Sequence, residues 1–93
     1  MKVYRDMDGS LCVICEDIDG NTYTMNENGY FQIEDPELHW LNKFSPTGEI
    51  IGFLDPVTKD FIQATDPKEI THWNKWFDDW KKRNKNVIKS YKF

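Results

Sequence analysis

The chain has only two cysteines and two histidines in 93 residues. Two cysteines cannot build a disulfide framework. Zinc-type ligands are limited to Cys12, Cys15, His39 and His72. A zinc knuckle has a turn between its paired sulfurs, whereas here Val13 and Ile14 fill a strand-like run. In a strand the two thiols point to opposite faces, so neither a zinc site nor a redox pair is expected, only reduced thiols. No apolar run approaches the length of a membrane span. The opening residues, Met1 to Asp6, carry no apolar stretch of the secretory kind. A cytoplasmic protein without membrane contact is the expectation. There is no phosphate-binding Gly-rich loop, no dinucleotide signature and no serine elbow. An EF-hand loop fails too: with Gly20 at its sixth place the first and last ligands would be Cys15 and Asn26. No cofactor, no metal and no enzymatic activity are expected.

What is present is charge and aromatic mass. Charged residues are 30% and aromatics 15% of the chain. Large rings give a small domain much buried area per residue. Residues 1–66 hold 13 acidic and 4 basic side chains; residues 67–93 hold 8 basic and 3 acidic ones. The chain therefore reads as an acidic body with a basic end, at a pI of about 5.0. A length of 93 residues predicts one domain, 1–93, with 85–93 as a basic tail.

The patterning predicts an α+β domain, an antiparallel sheet packed against one long C-terminal amphipathic helix. Asp8-Gly9, Asp19-Gly20 and Asn28-Gly29 are hairpin signals between strand-like runs. They predict a four-stranded meander over 2–6, 10–17, 21–26 and 30–34. Read as two-residue turns, they place Tyr4, Leu11, Val13, Cys15, Phe31 and Ile33 on a core face. Val3, Ile14, Tyr23, Met25 and Tyr30 then share the other, half-polar face. Asp35-Pro36 predicts a short helix over 36–43, with Leu38 and Leu41 inward. A hairpin follows, with strands at 49–54 and 61–64. Asp66 as N-cap and Pro67 at the first position start a helix over 67–84. Its apolar stripe is Ile70, Trp73, Phe77 and Trp80, with Asp78–Lys82 and Asp79–Arg83 as charge pairs one turn apart. The end of the chain reads either as a short strand or as a docked arm.

Asp6-Met7-Asp8-Gly9-Ser10-Leu11 resembles the first motif of the haloacid dehalogenase-type phosphatases. That resemblance implies a nucleophilic Asp6, an acid/base Asp8 and a magnesium ion. It spans six residues, Arg5 stands where that family buries an apolar residue, and no later lysine motif follows. A hairpin turn accounts for the same residues, so no catalytic role is carried over.

These readings predict a non-enzymatic protein-binding module. Small acidic α+β proteins of this kind include inhibitors and adaptors encoded by phages and mobile elements, anti-CRISPR proteins among them. Tyrosine, tryptophan and arginine are the usual anchors of interfaces. The candidate anchors are Trp76, on the rim of the helical stripe, with Arg83, Tyr23 and Tyr30. The alternative is a nucleic-acid-binding accessory protein. It would use Lys81, Lys82, Arg83, Lys85, Lys89 and Lys92 against phosphates.

Overall fold

The computed structural model describes residues 2–91. The protein has the expected α+β arrangement, but the meander runs much further than the first third of the chain. Among the described residues, seven antiparallel strands pair strictly in chain order. They are β1 (Lys2–Arg5), β2 (Leu11–Glu16), β3 (Thr22–Asn26), β4 (Phe31–Glu34), β5 (Leu41–Phe44), β6 (Ile50–Leu54) and β7 (Phe61–Gln63). Helix α1 (Pro67–Arg83) crosses one face, and the short α2 (Lys85–Lys89) follows it.

One turn design recurs along the sheet. In the β1–β2 turn, Asp6 Oδ1 accepts the amides of Asp8 and Ser10, while Gly9 sits at φ 87°. Asp17 and Asn26 do the same in the next two turns, where Gly20 and Gly29 take the left-handed position. In the β5–β6 turn Ser45 Oγ accepts from Glu49, and Gly48 takes that position. These are three-residue loops closed by a left-handed residue, not two-residue turns. Each shifts its hairpin register by one residue. Tyr4 pairs with Cys12, and Cys15 pairs with Tyr23. A shift of one flips a strand relative to its neighbour, and a second shift restores it. So Phe31 and Ile33 share a face with Val13 and Cys15 as expected, but Val3, Tyr23 and Met25 join them and Tyr4 leaves.

The expected helix over 36–43 does not form. Asp35 Oδ1 accepts the amides of Glu37 and Leu38, His39 takes a left-handed φ of 62°, and the chain returns as β5. Asn42 and Phe44 are buried on alternate positions of that strand, the period of a sheet. Leu38, expected inward, is 69% exposed.

Helix α1 begins as read: Asp66 Oδ1 accepts the Lys68 amide at 3.0 Å and Pro67 is the first residue. It runs across the strands. Trp73 meets Phe53 of β6, Phe77 stacks on Phe44 of β5 at 4.1 Å, and Trp80 meets Tyr23 of β3 at 5.0 Å. Tyr23, Phe44, Phe77 and Trp80, with Ile33 and Ile50, form the core, and the half-buried Phe53 and Trp73 pack against it. Polar anchors hold the crossing in place. Trp80 Nε1 donates to Asp17 Oδ2 at 3.1 Å, and Asn84 Oδ1 accepts the Ile18 amide at 2.9 Å. At the irregularity between Lys43 and Phe44, the Ile50 amide is captured by Asn74 Oδ1 at 2.7 Å. Where a short strand or a docked arm was expected, the described residues form α2, which lays Val87 and Ile88 against the core; residues 92 and 93 lie outside the described residues. No helix among the described residues is long and apolar enough to cross a membrane.

Candidate functional site

The four expected interface anchors do not converge. Tyr23 is 1% exposed, lodged between Phe31 and Trp80, because the register shift turned it inward. Tyr30 lies on the opposite face of the sheet, with Lys43 Nζ over its ring at 5.5 Å. Trp76 is half-buried, as is Trp73, and it stacks on Phe44 at 6.0 Å. Arg83 is exposed but reaches Asp19 at 3.3 Å, across to the β2–β3 turn, instead of Asp79 on its own helix.

The basic set is partly committed. Lys82 pairs with Asp78 at 3.1 Å, and Lys81 Nζ lies 4.6 Å from the Phe77 ring centre. Lys85 and Lys89 are exposed on α2. Lys92 lies outside the described residues.

The face of the sheet away from α1 carries a polar hollow of about 350 Å³ around Asp6, Asp8, Cys12, Asn26, Tyr30 and Lys43. Asp6 is occupied as the cap of its turn, and Cys12 Sγ donates to Asp6 Oδ2 at 3.3 Å. Burial, reinforced by that carboxylate, pushes the Cys12 thiol up to about 11, so it is protonated at neutral pH. The Asp6 carboxyl and then Ser10 pull Asp8 down to about 2. This is a hydrogen-bonded turn with a neutral thiol, not an activated nucleophile. Cys15 lies on the helix side of β2 against the core, so the two sulfurs face apart.

A second hollow, of about 390 Å³, opens on the helix side, between the start of α1 and the last strands. Trp40, Phe53, Ile62 and Trp73 give it an apolar wall. Asp35, Asp66 and Glu69 line it as well, and among the described residues no lysine, arginine or histidine does. Asn42 lies in its lining at 1% exposure, and its Nδ2 has no hydrogen-bond partner among the described residues. Asp35 and Asp66 are held in place by the turn and the helix cap that they close.

This groove adjoins β7, the edge of the sheet. Phe61 and Ile62 are 49% and 52% exposed there. The Asp55 amide donates to the Asp60 carbonyl and the Ala64 amide to the Ile51 carbonyl, each at 2.9 Å. Bonding alternates along an antiparallel ladder, so Asp60, Ile62 and Ala64 bond inward. The backbone groups of Phe61 and Gln63 point away from the sheet. Sequence reasoning gave Asp35, Leu38, Asp66 and Trp73 structural roles and singled out none of the groove's residues for binding. The lining comes from three stretches of the chain, 35–42, Phe53 and 62–73, which only strand pairing brings together.

The fold and the groove define a meander sheet crossed by α1, with β7 as an edge strand that pairs only with β6 among the described residues. The chain matches no protein-family model, no curated protein and no solved structure.

Proposed function

We propose that the protein is a non-enzymatic module that binds a protein partner in the cytoplasm, as an inhibitor or adaptor does. One observation carries this reading: the outer edge of β7, unpaired among the described residues, lies directly beside an apolar groove rimmed by carboxylates. An exposed edge offers unsatisfied amides and carbonyls, and a neighbouring groove can select side chains. The nucleic-acid alternative has less support. Lys82 and Arg83 are drawn into ion pairs, Lys81 lies over an aromatic ring, and the groove is acidic. The test is affinity capture from source cells with the wild-type chain beside an Ile62→Glu variant, Ile62 being half exposed at the groove. A partner retained by the wild type and lost by a folded Ile62→Glu chain is the expected result. Capture of nucleic acid alone, lost on nuclease treatment, returns the case to the basic arm.

A further inference from the structure

We infer that the groove beside β7 takes an extended, basic segment of the partner, added alongside β7 as a further strand. A lysine or arginine of that segment lies over Phe53 and Trp73 with its charged head among Asp35, Asp66 and Glu69. This rests on the protein-binding reading and names the partner's chemistry.

The edge geometry sets where the segment goes. Phe61 and Gln63 present their amides and carbonyls outward, so an added strand bonds to those two residues. Strands in a sheet lie about 4.8 Å apart, and side chains at one level share a face. Ile62 faces the groove. The partner residue level with Ile62 therefore enters the groove, and its two neighbours fall on the far face beside Phe61.

Charge sets which side chain enters. Three carboxylates line the groove, and no cation does so among the described residues. An apolar occupant would strip water from them without compensation, and an acidic one would add repulsion. A lysine or arginine satisfies both surfaces, since its aliphatic stem covers apolar rings while its head reaches the carboxylates. The head also gains from lying against the Trp73 and Phe53 faces. Glu69 has no ion-pair partner among the described residues and is the carboxylate most open to such a head.

Two fluorescein-labelled heptapeptides test this, one alternating valine with arginine and the other valine with glutamate. Anisotropy should show the arginine peptide binding at least about tenfold more tightly. Gln63→Pro removes an outward amide from an edge strand, where proline is tolerated, and should weaken binding by about tenfold or more with the melt little changed. Should that variant fail to fold, the arginine peptide methylated on its own backbone nitrogens should fail to bind the wild-type chain. Glu69→Arg should remove the preference for arginine. Amide exchange at Phe61 and Gln63 should slow on binding. Arginine-peptide binding that survives both Gln63→Pro and backbone methylation is mere attraction to an acidic body and overturns the inference, as does absence of binding at about 1 mM. Concentration-dependent self-association lost in Gln63→Pro gives the edge to a second copy and also overturns it. A cellular partner still captured by Gln63→Pro leaves the protein-binding reading standing while this site falls; no partner for either chain sinks both.

Discussion

Asp17 is buried because it has three donors to satisfy. Its Oδ1 accepts the amides of Asp19 and Asn21, closing the β2–β3 turn. Its Oδ2 takes Trp80 Nε1, which ties that turn to the helix. Asp17→Ala leaves a buried indole N–H and two turn amides without partners, and should cost about 2–4 kcal/mol in urea denaturation. Asp19→Ala removes only the exposed pair with Arg83 and should cost less than about 1 kcal/mol. Cys12 supplies a test by pH. Its thiol is raised from 9.0 to about 11, so the folded chain holds the proton more tightly than the unfolded one. That contribution is complete below the ordinary value and is lost as pH rises toward the folded one. Burial raises Tyr4 and Tyr23 in the same direction. Stability should therefore fall between about pH 9 and pH 11, and Cys12→Ala should lessen the fall. Denaturation curves across that range decide it, and a flat profile contradicts the burial assigned to this thiol.

At the scale of elements, the turns govern everything that the sheet presents. Asp-Gly and Asn-Gly were legible as turns, and the strands they separate were legible within a residue or two. The loop length was not, because the same dipeptide serves a two-residue turn and the end of a longer one. The deciding feature is the Asp, Asn or Ser three residues before each glycine: Asp6, Asp17 and Asn26 each cap two amides, and Ser45 caps the Glu49 amide. That one residue of difference put Tyr23 in the core. Helix α1, its cap and its buried Phe77 and Trp80 followed from the 3.6-residue period. The β4–β5 segment did not, since Asp-Pro opens a turn as readily as a helix and pairing with two strands settled it. The groove was illegible for a related reason, being assembled by strand pairing that no local pattern announces. Two substitutions probe the turn rule. Gly20→Ala forces a Cβ into the left-handed region at φ 83° and should cost about 1–2 kcal/mol. Lys59→Gly relieves that strain at φ 67° and, after glycine's greater unfolded-state entropy, should leave stability unchanged or raise it by up to about 1 kcal/mol. Thermal melts measure both.

Across the whole molecule, each strand pairs with its chain neighbour, so the sheet needs no long loop to close. What the sheet cannot do alone is cover its apolar face. Tyr23, Ile33, Phe44 and Ile50 are buried in a cluster completed by Phe77 and Trp80. Those two rings bury on the order of 150–250 Å² each, a large share for so small a core. The strands at the two edges contribute much less. All residues of β1 and of β7 are exposed, and β7 is three residues long. Stability should therefore grade from the middle outward, with the helix as its condition. Native-state hydrogen exchange should find the slowest amides in β3, β4 and β5 and fast ones in β1 and β7. Phe77→Ala, which opens a cavity against Phe44 and Phe31, should cost about 3–5 kcal/mol, much of the stability of a domain this size. A chain ending at Thr65 keeps every strand but loses α1, and it should show no cooperative unfolding transition. A chain beginning at Asp6 loses only β1 and should still melt cooperatively at a lower temperature. Calorimetry on the two truncations separates these outcomes. A cooperative melt without the helix would place the core within the sheet itself, against the ring contacts that join Tyr23 to Trp80 and Phe44 to Phe77.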